Sequence, residues 1–285
     1  MSHISIWGEL AAVDHTLRHV DVAGVRTRVL QAGSGPDLVL LHGTGGHLEA
    51  YARDIAGLAR DFRVTAYDMV GHGWSDLPDR PYTIDVLTDH LLGTMDALGI
   101  ESAHVLGISM GGMTAQELAL RHPQKVRTLA LGCTYAGGAD SAMTDPAVIQ
   151  RLGELFMTGR IEEALRYGFE VNVSPAFAEN PAHFELVKEI AGQLPSTLDV
   201  LMLQVQAVAG HDTSERLGEI EAPTLVIHGT VDQMLPVSNA HAIAARIPGA
   251  RLEIFEDVGH AFWWERPEES ARFVRELASG ASVQS

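Results

Sequence analysis

With 285 residues, 46% of them hydrophobic, the chain can bury one substantial core and exceeds the usual single-domain size, which fits one large domain carrying an insertion. Its formal charge of −17, from 20 Lys+Arg against 37 Asp+Glu, and the lack of any basic run exclude nucleic acid and anionic membrane surfaces as expected partners. The single cysteine, Cys133, leaves no internal disulfide framework, and no clustered Cys or His spacing signals a metal. Met1 to Leu10 lacks the basic flank and long apolar stretch of a secretory signal. Apolar runs such as Asp37-Leu-Val-Leu-Leu41 stop at strand length, so the cytoplasm is the expected location.

Arg18 to Gln31 alternates in period two around Ala23-Gly24 and predicts an antiparallel hairpin. From residue 37 onward, short apolar runs alternate with amphipathic ones, the pattern of a mostly parallel α/β sheet. The predicted strands are Leu38 to Leu41, Arg63 to Tyr67, Ala103 to Ile108, Val126 to Leu131, Thr224 to His228 and Arg251 to Phe255. Helices are predicted at Ala50 to Arg60, Thr83 to Leu98, Met110 to Arg121, Ser238 to Arg246 and Pro267 to Leu277, with a disordered tail after Ser279. After Val126 to Leu131 the alternation is replaced by helical patterns, which predicts an inserted cap. Asp145-Pro146 and Asn180-Pro181 announce two of its helices, each a capping side chain followed by proline at the first helical position.

Gly107-Ile-Ser-Met-Gly111 falls where a buried strand gives way to a helix. The pentapeptide alone is a weak signal, and a surface serine in a glycine-rich loop is its bland reading. Its position makes Ser109 the candidate nucleophile, on a turn too tight for side chains two positions away. A serine hydroxyl needs a positioned base, and the base needs a group that fixes its tautomer. His260 is the candidate base, because Asp257-Val-Gly-His260 follows the last predicted strand and ends at the same sheet edge. His42, His72, His104 and His228 belong to glycine-rich turns or strand ends. Asp232, directly after Thr224 to His228, is the candidate acid, with Asp140 a substitute. Backbone N–H groups should hold the developing oxyanion: Met110 immediately after Ser109, and Thr44, with Gly43 next, in Leu41-His-Gly-Thr-Gly-Gly46. That loop lacks the lysine and spacing of a phosphate loop.

Together, His42-Gly43-Thr44-Gly45-Gly46, Asp68-Met-Val-Gly-His-Gly-Trp-Ser75, Gly107-Ile-Ser-Met-Gly-Gly112, Asp232 and Gly259-His260 resemble the α/β-hydrolase superfamily across nearly the whole chain. The resemblance implies a mostly parallel eight-stranded sheet flanked by helices. The core would be residues 1–133 and 215–285, and the inserted helical cap residues 134–214. The first hundred residues resemble meta-cleavage-product hydrolases, which split carbon–carbon bonds. Gly107 to Gly138 and His260 to Glu265 look closer to the 3-oxoadipate enol-lactonase and esterase branch.

Carbon–carbon hydrolases of this kind carry an asparagine before the nucleophile, where this chain has Ile108, and an arginine in the cap. No arginine occurs from Tyr167 to Glu215, which leaves Arg151, Arg160 and Arg166 as substitutes. Family members with an aspartate nucleophile, the dehalogenases and epoxide hydrolases, are set aside by Ser109.

The expected activity is therefore two-step hydrolysis of a carboxylic ester or lactone, on a small to medium, largely apolar substrate. Phe156, Met157, Phe177, Met202 and Trp264 are the expected pocket residues. Trp263 and Trp264 equally suit pinning the last helix to the sheet. No metal or organic cofactor is implied, and a homodimer is compatible with the sequence. The rivals are a carbon–carbon hydrolase with the same triad and a ligand receptor that keeps the fold with little turnover. With His260 as base, activity should rise through about pH 6 to 7.5.

Overall fold

The computed structural model describes residue 8 and residues 10–78, 81–192 and 198–282. The stretch from Met1 to Leu10, expected to carry no secretory signal, lies mostly outside them.

Eight strands form one sheet in the order β1-β2-β4-β3-β5-β6-β7-β8. Strands β1 (His15–Val22) and β2 (Val25–Ala32) are the expected hairpin, closed by Ala23 and Gly24, both with positive φ. After β3 (Asp37–Leu41), β4 (Arg63–Tyr67) pairs antiparallel with β2 and parallel with β3. The remainder, β5 (Ala103–Ile108), β6 (Val126–Gly132), β7 (Thr224–Gly229) and β8 (Arg251–Phe255), run parallel. Every residue of β5 and β7 is buried, because helices cover both faces of a parallel sheet.

The helices before the insertion are α1 (Ala52–Leu58), α2 (Ile84–Ala97) and α3 (Met110–Arg121). Between β6 and β7 lie α4 (Pro146–Met157), α5 (Ile161–Asn172), α6 (Pro175–Ala178), α7 (Pro181–Ala191) and α8 (Leu198–Ala209). Then come α9 (Ser238–Arg246), α10 (Phe262–Glu265) and α11 (Pro267–Ser282). Val39 and Leu41 face one way, into a core shared with Leu87 and Leu91 of α2 and Leu118 of α3. Leu38 and Leu40 face the other, toward Ile55 of α1 and Phe273 of α11. Strand alternation thus builds two apolar layers from one run of leucines and valines.

In the insertion, Asp145 accepts from Ala147 N–H and Asn180 from Ala182 N–H, each beside a first-turn proline. Phe169, Val173 and Phe184 form its small core with Ala261, and Trp263 and Trp264 pack against it. Two elements differ from expectation. The helix expected at Ala50 to Arg60 opens as a 3₁₀ turn over Leu48–Tyr51, where Leu48 N–H is drawn to Asp68 Oδ1 at 2.9 Å. Of the tail expected to be disordered after Ser279, residues 280–282 continue α11, which Arg275 anchors through Asp61 Oδ2 at 2.5 Å and Gly57 O at 2.8 Å, and residues 283–285 lie outside the described residues. No helix among the described residues is long and apolar enough to cross a membrane.

Candidate active site

Ser109 joins β5 to α3 with φ 55° and ψ −121°, a conformation in which a residue with a Cβ is strained. The turn is tight enough that a Cβ on Gly107 would lie 2.3 Å from Gly111 O, and one on Gly111 2.2 Å from Leu41 O. Ser109 N–H donates to Gly132 O at 2.9 Å, and Ser109 O accepts from Thr134 Oγ1 at 2.7 Å, so the end of β6 and the residues just after it hold the strained residue. Met110 opens α3, the end at which N–H groups lack intrahelical acceptors.

Asp232 follows β7 and His260 follows β8, so both reach the sheet edge at which Ser109 sits. His260 Nδ1 donates to Asp232 Oδ2 at 2.7 Å. This leaves the opposite ring edge, Nε2, for proton transfer. The other carboxylate oxygen, Oδ1, accepts from Met234 N–H at 2.7 Å and Leu235 N–H at 2.9 Å. Burial alone would raise the Asp232 carboxyl. The charge of His260, with hydrogen bonds from His228 and His260, overcomes that and holds it well below the usual carboxylate range.

His228, read from the sequence as a strand end, proves to be a second partner of this acid. Its Nε2 lies 2.8 Å from Leu235 O and 3.0 Å from Asp232 Oδ2. Both neighbours are acceptors, so Nε2 carries the proton. Cys133, His228 and Asp232 bring ligand-type atoms within 4.8 Å of one another. Burial and the Asp232 charge push the Cys133 thiol up, and both Asp232 oxygens are already engaged, so the chemistry of the trio is that of a hydrogen-bonded core.

The Gly43–Gly46 turn packs against the elbow. A Cβ on Gly43 would lie 3.0 Å from Ser109 Cβ and 3.5 Å from its Oγ. Thr44 Oγ1 lies 3.7 Å from Met110 Sδ, so the side chains of the two residues expected to supply the oxyanion donors meet. Gly43 O accepts from Gly46 N–H at 3.0 Å and from His42 Nδ1 at 3.0 Å, while His42 Nε2 accepts from Met69 N–H at 3.2 Å. Those partners fix one neutral tautomer, and burial lowers His42 to about 4. It is a brace for the loop rather than a base.

Behind the loop, Arg28 is wholly committed to buried carboxylates. Its Nη1 and Nη2 fork onto Glu49 at 2.8 and 2.6 Å, and its Nε meets Asp68 Oδ2 at 2.6 Å. Asp68 also accepts from Leu48 N–H and Trp74 N–H. One carboxylate thereby ties the segment just after the Gly43–Gly46 turn to the loop that follows β4.

The expected pocket residues are scattered. Met157 is 77% exposed and Met202 51% exposed. Phe177 is half-buried and stacks on His183 with ring centroids 3.7 Å apart, within the core of the insertion. Phe156 is half-buried on α4. Trp264 donates from Nε1 to Ala50 O at 3.0 Å, which pins α10 to the core. Next to Met202 on α8, Leu201 comes within 3.5 Å of the position a Gly45 Cβ would take.

Two further residues escaped the sequence reading. Glu265 Oε1 accepts from Gly259 N–H at 2.8 Å and Ser174 N–H at 2.9 Å, and its Oε2 accepts from Ser174 Oγ. Gln204 Oε1 accepts from Gly45 N–H in the Gly43–Gly46 turn at 2.8 Å. A polar residue inside the apolar run Leu201-Met-Leu-Gln-Val205 is the only sequence signal for the latter.

An α/β hydrolase fold family model matches residues 36–186 and 196–267. The 2-hydroxymuconate semialdehyde hydrolase of Pseudomonas sp. (strain CF600) is 33% identical over 273 residues, covering 90% of each chain. Among solved structures, the enol-lactonase from Burkholderia xenovorans LB400 matches with a TM-score of 0.80 at 27% identity, over 92% of this chain and 99% of its own. A meta-cleavage product hydrolase from Pseudomonas fluorescens IP01 matches with a TM-score of 0.78 at 28% identity, over 93% and 98%. Because the family model runs from β3 past β8 and takes in the elbow and both loops that follow β7 and β8, the chain belongs to the α/β-hydrolase family.

Proposed function

We propose that this hydrolase cleaves a carboxylic ester or lactone of a small to medium, largely apolar substrate through an acyl-enzyme on Ser109. Residues 134–214 act as a helical cap on a core of 1–133 and 215–285. The observation that carries the reading is the ionised, fully hydrogen-bonded Asp232 on His260 Nδ1 at 2.7 Å.

In the first step Ser109 Oγ attacks the carbonyl carbon while His260 Nε2 takes the hydroxyl proton. The carbonyl oxygen becomes the oxyanion and accepts from Met110 and Thr44 N–H. Collapse expels the alkoxide, which takes the proton from His260, and leaves the acyl group on Ser109. Water, deprotonated by the same imidazole, then attacks the acyl carbon, and the serine leaves with that proton as the carboxylic acid is released.

Ester over carbon–carbon chemistry is supported by Ile108 and by the cap arginines. Arg151, Arg160 and Arg166 are all exposed, the first two paired with Glu154 and Glu163 and the third stacked on the Phe184 ring at 4.0 Å. A second reading, hydrolysis of a dienoic ring-fission product with the same triad, rests on the similarity to 2-hydroxymuconate semialdehyde hydrolase. The deciding measurement is kcat/KM across a panel of aryl esters, lactones and ring-fission products, with fluorophosphonate labelling of wild type and Ser109→Ala. Ester or lactone turnover with Ser109-dependent labelling is expected. Preference for the ring-fission product would install the second reading, and an unlabelled, inactive wild type would sink both.

A further inference from the structure

The segment carrying His260 is held between two neighbours. On one side is the end of β7 and the loop of the acid: a Cβ on Gly229 would lie 2.1 Å from Val258 O, and Val231 N–H, next to Asp232, donates to Val258 O at 3.1 Å. On the other side is the insertion, so close that a Cβ on Gly259 would lie 2.6 Å from Val173 Cα. On this second side an amide is taken up on each flank of His260. Ala261 N–H donates to Asn172 O at 2.7 Å, backbone to backbone. Gly259 N–H is buried and goes instead to a side chain, Glu265 Oε1, at 2.8 Å. The same oxygen accepts from Ser174 N–H at 2.9 Å, and Oε2 accepts from Ser174 Oγ. All three donors are neutral. Glu265 stands on a fixed mount, because it ends α10, which is seated by fully buried Phe262 and by Trp264 Nε1 on Ala50 O at 3.0 Å. A buried N–H needs its acceptor, so where the Glu265 oxygen stands decides where Gly259 sits. His260 is the next residue.

We propose that Glu265 is a positioning residue for the base: through the amide before His260 it sets where the imidazole stands, with Nδ1 on Asp232 and Nε2 left for proton transfer. The proposal rests on the reading of His260 as the general base. Glu265 touches no reacting atom. It acts by the reach of its oxygen and not by its charge, so a neutral acceptor in the same place serves equally.

Two conservative variants separate reach from charge. Glu265→Asp keeps the charge on a side chain one methylene shorter. Glu265→Gln keeps the reach, accepting from both amides through Oε1 and donating to Ser174 Oγ through Nε2. In E265D either the bond to Gly259 is lost or the segment is drawn after the shortened acid, and both displace His260. Because a misplacement of about 1 Å costs about 10² in rate, a shift of a few tenths of an ångström should lower kcat about tenfold on an ester that the wild type turns over, with KM within about twofold. Fluorophosphonate labelling should slow by a similar factor. E265Q should keep most of the wild-type kcat. A second readout is independent of turnover. In full-length protein labelled with ¹⁵N-histidine, the Nδ1 proton of His260 is the resonance missing from His260→Gln, and it lies far downfield because it is shared with Asp232. It should move upfield in E265D and stay in place in E265Q. Wild-type kcat in E265D, an unmoved resonance in E265D, or a loss in E265Q as large as in E265D would each overturn the proposal. Failure of the functional reading looks different: wild type neither labels nor cleaves, while the resonance still separates E265D from E265Q.

Discussion

His228 Nε2 stands 3.0 Å from Asp232 Oδ2, on the oxygen that also receives His260. Two imidazoles therefore share one carboxylate, and the fully buried one is fixed by Leu235 O. His228→Phe retains the ring volume but removes the donor and strands a buried carbonyl, which costs about 1–3 kcal/mol. We expect a urea midpoint lowered accordingly and kcat reduced about tenfold, since the acid loses a partner that orients it. Wild-type kcat in a folded variant would exclude a role for His228 in holding Asp232.

Asp232→Asn tests the acid more directly. An amide can donate where the carboxylate only accepts, so the imidazole tautomer is no longer specified. A drop in kcat of about 10⁴ is the outcome expected for a triad of this kind, with KM little changed. Steady-state kinetics on an aryl ester at neutral pH measure it.

Gly43→Ala places a methyl 3.0 Å from Ser109 Cβ without asking the backbone for an unusual φ. Ser109 must give way by a few tenths of an ångström, and because a full 1 Å misplacement costs about 10² in rate, a loss of about tenfold is expected. Thermal stability should barely move while kcat/KM and fluorophosphonate labelling both fall.

Arg28→Met leaves Glu49 and Asp68 facing each other without their cation in a dry interior. Breaking one side of such a buried pair costs about 3–5 kcal/mol. Equilibrium unfolding should register this as a loss comparable to much of the stability of the domain.

Stability should also decline on acidification, in two stages. Burial lowers His42 and His211 to about 4, so below about pH 6.5 the unfolded chain binds protons that the folded chain refuses. Unfolding therefore becomes easier as pH falls from about 6.5 toward 4, by on the order of 3 kcal/mol per histidine at full expression. Glu49 opposes its own burial through His47 and Arg28 and sits at about 2, so its contribution is lost from about pH 4.5 down to 2. Denaturant midpoints measured between pH 8 and 3 test the order. A midpoint that holds from pH 7 to 4.5 would contradict the histidine assignment.

Much of the sheet and the triad candidates could be read in the sequence because each is a local pattern. Leu38 to Leu41 and Ala103 to Ile108 are apolar runs of strand length, and the glycines around Ser109 record contacts made within a few residues. The pocket was less legible. Whether Met202 or Leu201 of α8 faces the core depends on how the helix is rotated, and both are equally apolar. Gln204 meets Gly45 across 159 positions, and Arg28 gathers Glu49 and Asp68 from 21 and 40 residues away. Nothing local marks such partners. His228 is the exception, only four residues from Asp232, but strand alternation offers an ordinary reading for it.

Glu265 has a bearing on how such proteins diversify. A single carboxylate receives Gly259, beside His260, and Ser174, from the insertion. The insertion is thus modular in chain connectivity but not in hydrogen bonding. A cap transplanted from a relative would expose one side of Glu265 to whatever it brought, and the loop that presents His260 would shift with it. Chimeras that retain Ser174 or an equivalent donor should keep their activity, whereas those chosen for sequence junctions alone should fold and lose it.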